Sequence, residues 1–464
     1  MNYYFLGIAG TAMASLAVLL KQRGHTVWGS DQGIYPPMSD FLRDNGIEVV
    51  QGFSEANLER PFDTVVIGNA LSRGNPEVEA ILDRHLPFVS LPEVIRREFI
   101  DQHRNIVITG THGKTTTTAL MSWVLICAGL DPTCLIGGIA RNIDSSIRIG
   151  TGKWFVIEGD EYDCAFFDKR PKFVHYFPDY LVINNLEFDH ADIYPDLDSI
   201  QDVFRKLMRI VPRGGLVVAN GDSPAVRPVI DPAYSRLERF GAAREADWSY
   251  RGLASAGGVK RFELFQAGTS VGQFTFPFPG EYQLQNICAV AAVAHDIGIS
   301  WEVFGEALAT FKGVKRRMEH WGRFRGADVY DDFAHHPGAV AVTLAAMRER
   351  FPERRLVALF EPRTNTTVRN IFQHELAVAF AAADVVMMTP VHRADRLPPG
   401  ERLSLKRLAA DLEDEGKTVH LLSGYDAILP ALEAELVEED LLVLLTNGSL
   451  GGVYQELRKQ VSGH

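Results

Sequence analysis

The chain has 464 residues and a net charge of −12, with 46% of its residues hydrophobic and 23% charged. This length predicts three domains at about 150 residues each, and the composition is typical of a globular protein. The negative charge argues against a nucleic-acid partner. We therefore expect a cytoplasmic protein without nucleic-acid or membrane partners, either a monomer or a weak homo-oligomer.

Residues 3–20 form an uncharged run that resembles a signal peptide or a membrane span. No basic residue precedes this run, and Gly7 and Gly10 interrupt it, so a buried first strand and helix is the better interpretation. The four cysteines lie far apart and form no C-x-x-C pair, which argues against a disulfide framework or a structural zinc site.

Residues 1–103 alternate between apolar strand patterns and helical patterns, which predicts a Rossmann-like α/β domain with a parallel sheet. Gly7 and Gly10 follow the first strand, and Asp31 ends the second. This pattern favours a nicotinamide dinucleotide or another pyrophosphate ligand, but Met13 replaces the third glycine of the dinucleotide motif. A purely structural turn remains an alternative.

The central domain, predicted over residues 104–315, begins with the sequence IVITGTHGKTTTTAL. A strand, a glycine loop and a helix start follow one another here, so backbone N–H groups and the helix dipole can bind phosphate. Lys114 adds a positive charge and Thr115 a hydroxyl for a magnesium ion, which predicts ATP or GTP binding. The pattern of the domain changes between about 247 and 278, where short alternating runs predict antiparallel strands.

Two further strands of this domain end in polar clusters. Glu158 begins one of them, and the other contains Glu187 and His190. The carboxyl ends of parallel strands form the ligand-binding edge of such sheets, so these clusters could meet at a magnesium ion beside the phosphate loop. Charged strand ends are also commonly solvated turns.

The α/β pattern restarts near residue 315 and predicts a third, Rossmann-like domain over residues 316–464. Lys315, Arg316 and Arg317 lie at this junction, where an arginine can neutralise a transferred phosphoryl group. The segment 331–337, DDFAHHP, follows in the next strand. A solvated linker and a helix-start turn are the alternatives for these two clusters.

Together these motifs resemble the Mur ligases, which build the peptide of bacterial cell-wall precursors. The resemblance rests, in chain order, on the glycine loop at 110–115, the acidic run 158–163, the segment 185–190, residues 280–286, Arg317 and the segment 331–337. NNLEFDHADIY and NGSLGG resemble the branch that salvages wall peptide. Phe188 replaces the proline usual in the muramate–alanine ligases, which favours the same branch.

The resemblance implies an ATP-dependent, magnesium-dependent ligase that joins UDP-N-acetylmuramate to L-alanyl-γ-D-glutamyl-meso-diaminopimelate through an acyl phosphate. The alternative within the family is a ligase that joins L-alanine to the same sugar. A phosphate-loop kinase or a nicotinamide oxidoreductase would account for one domain only.

The resemblance also assigns roles to individual residues. Lys114, Glu158, His190 and Arg317 would be catalytic, and Thr115, Glu158 and His190 would bind magnesium. ATP would contact Gly110, Thr111, His112, Gly113, Lys114, Thr115, Thr116, Asn286, Arg317, Asp332 and His335. The UDP-sugar would contact Gly7, Gly10, Asp31, Asn69, Ser72 and Asn75.

The acceptor site is expected in the third domain. Arg363 and Asn365 follow the strand RLVALF, and Arg363 suits bidentate recognition of a carboxylate. A capping turn is an alternative for this segment. Two departures from the family are also noted: Arg205 stands where several members carry a carbamylated lysine, and Tyr282-Gln283 replace a frequent His-Asn pair. We therefore predict no carbamylation.

Overall fold

A computed structural model describes residues 1–34, 38–231, 233–256 and 258–461. It is an α/β protein built on three main sheets that follow one another along the chain, as the sequence predicts. No helix in these four ranges is long and apolar enough to cross a membrane.

The first sheet has five parallel strands in the order β3-β2-β1-β4-β5. Its first strand and first helix are buried, which confirms the interpretation of residues 3–20. The helix expected near 37–45 is present, although residue 37 lies outside the described residues. The elements are β1 Asn2–Leu6, α1 Thr11–Gln22, β2 Thr26–Asp31, α2 Met38–Asp44, β3 Glu48–Gln51, β4 Thr64–Ile67, α3 Pro76–Asp83, β5 Phe88–Ser90 and α4 Leu91–Glu98.

The second sheet has ten strands in the order β17-β16-β15-β14-β13-β12-β6-β9-β7-β8. Its centre is parallel, and the expected antiparallel strands β15 to β17 continue it at one edge. The strands are β6 Arg104–Thr109, β7 Thr133–Ala140, β8 Ser145–Arg148, β9 Trp154–Glu158, β12 Tyr180–Ile183, β13 Leu216–Asn220, β14 Arg236–Gly241, β15 Trp248–Ala256, β16 Val259–Gln266 and β17 Thr269–Phe276. A separate antiparallel pair consists of β10 Asp163–Ala165 and β11 Asp168–Pro171.

Five helices accompany this sheet. They are α5 Lys114–Cys127, α6 Leu197–Met208, α7 Arg227–Ile230, α8 Glu281–Ile297 and α9 Trp301–Thr310. Ile106, Val107 and Ile108 of β6 are fully buried, because both faces of the sheet are covered. A strand buried on both faces appears in the sequence as a continuous apolar run, as IVIT does.

The third sheet has six strands in the order β18-β19-β23-β20-β21-β22, and only β18 runs antiparallel to its neighbour. Its strands are β18 Glu319–Phe324, β19 Ala327–Asp332, β20 Leu356–Phe360, β21 Val385–Met388, β22 Thr418–Leu421 and β23 Leu441–Leu445. Its helices are α10 Pro337–Arg350, α11 Gln373–Ala379, α12 Leu405–Asp414, α13 Ile428–Glu435 and α14 Val453–Val461.

Candidate active site

The glycine loop lies between β6 and α5 and approaches the end of β12 closely. Gly110 has a φ of +126°, and a Cβ at this position would lie 2.9 Å from both the backbone nitrogen and the backbone oxygen of Asn185. The same neighbour binds the loop, because its backbone oxygen accepts from Thr111 N at 3.1 Å and its Oδ1 accepts from His112 N at 2.7 Å. Glycine at position 110 is therefore a steric requirement of this loop.

Gly113 precedes the helix in the left-handed conformation, with a φ of +80°. A Cβ there would lie 2.8 Å from Oδ1 of Asn286, which is 5% exposed. Asn286, predicted to contact ATP, thus lies directly behind the loop and supports it.

A cavity of about 230 Å³ opens in front of this loop, between the second and third sheets. The sequence-predicted residues that line it are Thr111, His112, Gly113, Lys114, Thr115, Thr116, Glu158, His190, Arg317, Asp332 and His335. They come from five separate segments of the chain. The fold therefore brings together residues up to 224 positions apart, as the convergence of the motifs predicts.

Lys114 is surrounded by carboxylates in this cavity. Its Nζ lies 3.1 Å from both side-chain oxygens of Glu161 and donates to the Gly110 carbonyl at 2.6 Å. Burial alone would lower the pKa of Lys114, but Glu161, Glu158 and Asp160 outweigh it, and the pKa is raised. The ammonium is therefore charged and is held where a phosphate would bind.

Glu161 contacts two of the predicted site residues, Lys114 and His190, but the sequence did not single it out. It is 3% exposed, and its Oε1 also lies 2.9 Å from Nε2 of His190. Its hydrogen bond raises the pKa of His190, although burial alone would lower it. Glu161 belongs to the acidic run that the sequence singled out, but nothing in the spacing of that run distinguishes it from its neighbours.

Glu158 lies at the end of β9 and accepts a hydrogen bond from Gly137 N at 3.1 Å. Burial raises the pKa of its carboxyl, and the charges of Lys114 and Arg317 oppose that shift. Such a carboxylate gains most from an additional cation in the same cavity. The buried hydroxyl of Thr115 lines the cavity beside it, so the site offers two hard oxygen donors.

Arg317 reaches the phosphate loop from the start of the third α/β unit. Its Nη2 lies 3.4 Å from the Thr115 hydroxyl, and its guanidinium lies 5.1 Å from the centre of the Phe333 ring. Asp332 is buried, and its carboxylate accepts from the backbone N–H groups of Met318 and Ala334, both at 2.8 Å. Asp332 thus fixes the two segments that carry Arg317 and His335.

A second contact between the two units involves His112, Glu187 and His336. Glu187 Oε2 lies 3.2 Å from His112 Nε2 and 3.2 Å from His336 Nδ1. Burial alone would raise the pKa of Glu187, but its contacts with the two histidines hold it below its ordinary value. His336 Nε2 also donates to the Phe188 carbonyl at 3.0 Å. The loop residue His112 is therefore tied to the start of α10.

Of the predicted UDP-sugar residues, Gly7, Gly10 and Asp31 lie at the turn after β1. Gly7 has a φ of +82°, and a Cβ there would lie 3.2 Å from Leu71, so the loop that carries Asn69 and Ser72 covers this turn. Asp31 accepts from Ala9 N and Gly33 N, both at 2.9 Å, and so supports the turn. Asn75 caps α3 through its side-chain oxygen. Two of the predicted contact residues therefore also have a structural role.

The four cysteines are free, as the sequence predicts. Cys164 lies near Asp168 and His175, with ligand atoms within 4.8 Å of one another. Burial raises the pKa of the Cys164 thiol to about 12, and Asp168 is already paired with Arg170 and His175. The Cys164 thiol also donates to the Arg170 carbonyl at 3.1 Å, so the side chains of this cluster already have partners within the protein.

Three family models match the chain in sequence. They are "Mur ligase family, catalytic domain" over residues 2–103, "Mur ligase middle domain" over 108–294 and "Mur ligase, glutamate ligase domain" over 316–448. The UDP-N-acetylmuramate–L-alanyl-γ-D-glutamyl-meso-2,6-diaminoheptandioate ligase of Escherichia coli K12 is 38% identical over 98% of this chain and 97% of its own. The UDP-N-acetylmuramate–L-alanine ligase of Mesorhizobium japonicum is 32% identical over 96% and 95%.

Solved structures of ligases also resemble the chain. A murein peptide ligase from Psychrobacter arcticus is 33% identical, with a TM-score of 0.75, over 100% of this chain and 99% of its own. The UDP-N-acetylmuramate-alanine ligase of Thermotoga maritima is 24% identical, with a TM-score of 0.81, over 99% of each chain. That second likeness concerns the fold alone.

Proposed function

The chain belongs to the Mur ligase family, and from this premise we propose that it joins UDP-N-acetylmuramate to L-alanyl-γ-D-glutamyl-meso-diaminopimelate at the expense of ATP, in the recycling of cell-wall peptide. The 38% identity to the E. coli ligase of that name, over nearly the whole chain, carries the proposal. The geometry of the cavity in front of the phosphate loop supports an ATP-dependent reaction.

The reaction first needs a better leaving group on the acyl carbon. The lactyl carboxylate of the sugar attacks the γ-phosphorus of ATP, ADP leaves, and an acyl phosphate forms. The peptide amine then attacks the acyl carbon, the C–O bond to phosphate breaks, and the nitrogen loses a proton as the amide forms. The products are the amide, ADP and inorganic phosphate.

Cations are essential because this reaction brings a carboxylate to a phosphate. Lys114 and Arg317 lie on the same cavity and approach from different sides, so they are suited to neutralise the transferred phosphoryl group. The N-terminus of α5 adds its dipole. The other ATP contacts are those assigned by resemblance, with His335 and Asp332 facing the cavity from the third unit.

We propose that Thr115 and Glu158 hold one magnesium ion and that Glu158 and His190 hold a second. A carboxylate whose ionised form is disfavoured by burial, next to a hydroxyl, fits a hard cation. When bound, magnesium would neutralise charge on the phosphates. Glu161 orients His190 through the contact at 2.9 Å.

For the other two substrates we propose sites in the first and third units. The UDP-sugar would lie at the turn formed by Gly7 and Gly10, beside Asp31, Asn69, Ser72 and Asn75. The peptide would approach Arg363 and Asn365, which follow β20. We place the domain bounds at 1–103, 104–315 and 316–464, and we place the enzyme in the cytoplasm, where ATP and UDP-sugars are found.

Phosphate release from ATP tests this function. We expect release with UDP-N-acetylmuramate plus the tripeptide, and little release with L-alanine or with no amine. A higher rate with L-alanine than with the tripeptide would refute the acceptor assignment. Lys114→Ala is expected to abolish turnover and to retain UDP-sugar binding, whereas Lys169→Ala, at a lysine side chain that is 70% exposed, is the matched control.

A further inference from the structure

A second cavity, of about 390 Å³, lies beside the nucleotide cavity and is strongly basic. We call it the basic cleft, and its third-unit wall includes Arg363, Asn365, Arg369, His392, Arg393 and Arg396. Tyr162 closes it from the second unit. The chain as a whole carries a net charge of −12, so this concentration of arginine is a local feature.

The basic cleft adjoins the cavity where the reaction would take place. The Tyr162 ring lies 4.2 Å from the ring of His190, measured between centroids, and His190 lines the nucleotide cavity. On the other side of the same junction, Asn365 Nδ2 donates to Asp192 at 3.0 Å. A ligand in the basic cleft can therefore extend one end towards the phosphoryl group.

The arginines of the basic cleft differ in their ion pairs. Arg363 lies 3.1 Å from Glu361, and Arg369 lies 2.6 Å from Glu401. Arg393 and Arg396 are exposed, and no carboxylate of the described residues lies within 4.0 Å of either guanidinium. These two side chains therefore offer unsatisfied positive charge to a ligand.

The loop that carries them is held against the end of β20. His392 N donates to the Pro362 carbonyl at 3.0 Å, next to Arg363. Arg393 adopts the left-handed conformation, with a φ of +50°, which is costly for a residue with a Cβ. Burial lowers the pKa of His392, and the charges of Arg363, Arg393 and Arg396 lower it further, which shows that these cations converge.

The basic cleft also contains an unpaired acceptor. The side-chain oxygen of Asn447 is buried and has no hydrogen-bond partner among the described residues. Such an atom suits an ammonium group on the ligand. The ligand that fits the basic cleft thus carries several carboxylates and an amine.

We propose that Arg393 and Arg396 bind the distal carboxylates of the acceptor peptide and so select the tripeptide over shorter acceptors. The tripeptide named above carries one free carboxylate on its glutamyl residue and two on diaminopimelate, whereas L-alanine carries one in all. This inference rests on the proposed function. Guanidinium groups bind carboxylates in a bidentate manner, which supplies both charge and geometry.

The test compares acceptors that carry two, one or no carboxylates on a third residue, in Arg393→Gln, Arg396→Gln and the double variant. The acceptors are the tripeptide, the same tripeptide with lysine as its third residue, and L-alanyl-γ-D-glutamate. We expect kcat/KM for the tripeptide to fall about tenfold in each single variant, mainly through KM. The dipeptide should change less than twofold, and KM for ATP should not change.

Arg407→Gln is the matched control, because Arg407 is exposed on α12 and does not line the basic cleft. Loss of kcat/KM by the same factor for every acceptor would overturn the proposal, as would variants that behave like Arg407→Gln. The proposed function fails separately, if the unmodified protein shows no phosphate release that depends on the tripeptide.

Discussion

Replacing Gly110 by alanine tests the steric basis of the phosphate loop. At a φ of +126° the backbone lies where residues with a Cβ are strained, which costs about 1–3 kcal/mol. The new Cβ would also lie 2.9 Å from two backbone atoms of Asn185, and relieving such an overlap costs about 1–3 kcal/mol. We therefore expect Gly110→Ala to lose about 2–6 kcal/mol of unfolding free energy, as the sum of these two costs.

Two glycines of the same unit separate the causes. Gly129 has a φ of +69° with no atom within 4 Å of a built Cβ, so Gly129→Ala measures the backbone cost alone, about 1–2 kcal/mol. Gly214 has neither a positive φ nor an atom within 4 Å of a built Cβ. The unfolding free energy of Gly214→Ala is therefore expected to remain within about 0.5 kcal/mol of that of the unmodified protein.

Urea unfolding followed by circular dichroism gives the three free energies, and calorimetry gives the Kd for an ATP analogue. Displacement of the loop from Asn185 moves the N–H groups of Thr111 and His112, so Gly110→Ala should also weaken nucleotide binding at least tenfold. Equal stability of Gly110→Ala and Gly214→Ala, together with an unchanged Kd, would refute the steric argument.

Three further predictions concern the contacts around the cavity. Glu161→Gln removes the charge that binds Lys114 and His190, so activity should fall about 10–100-fold. The Mg²⁺ concentration that gives half-maximal activity should rise. An unchanged Mg²⁺ titration would contradict this role. Burial lowers the pKa of His335 to about 4. Between pH 6.5 and 4 the unfolded state therefore binds more protons than the folded state, so the free energy of unfolding should fall by at most about 3 kcal/mol as the pH drops towards 4. Melting temperatures of His335→Gln should depend less on pH over that range, and parallel curves would count against the assignment. Thr366→Val removes a buried hydrogen bond of 2.9 Å to Asp189 and should cost about 1–3 kcal/mol in urea unfolding, whereas Asn365→Ala, at an exposed contact, should cost less than about 0.5 kcal/mol.

Elements with a strong pattern were predictable from the sequence. Strand β6 appears as an apolar run followed by glycines, and α8 and α9 appear as long helical patterns. Strand β3 escaped prediction because it has four residues and no buried side chain. Half of the six residues of strand β18 are polar or charged, and the strand is stabilised by antiparallel pairing with β19. Such edge strands depend on a neighbour that local sequence does not reveal.

In the candidate site, too, some residues are predictable from local sequence and others depend on the fold. Lys114 and Thr115 are predictable because local backbone geometry creates their chemistry. The contacts of Glu187 with His112 and His336 join segments 75 and 149 residues apart, so only the fold brings them together. Arg393 and Arg396 were not predicted either, since two arginines in a polar loop are typical of solvent-exposed surface until the facing wall is known.

The contact between Glu161 and Lys114 has a consequence for nucleotide exchange. The ammonium of Lys114 has a carboxylate partner in Glu161, so a phosphate that binds Lys114 competes with an ion pair of the protein. We expect a triphosphate to compete with Glu161 better than a diphosphate, because it carries more negative charge. After phosphoryl transfer we expect Glu161 to pair with Lys114 again, which would weaken ADP binding and favour ADP release. The Glu161 carboxylate thus competes with phosphate for the ammonium of Lys114.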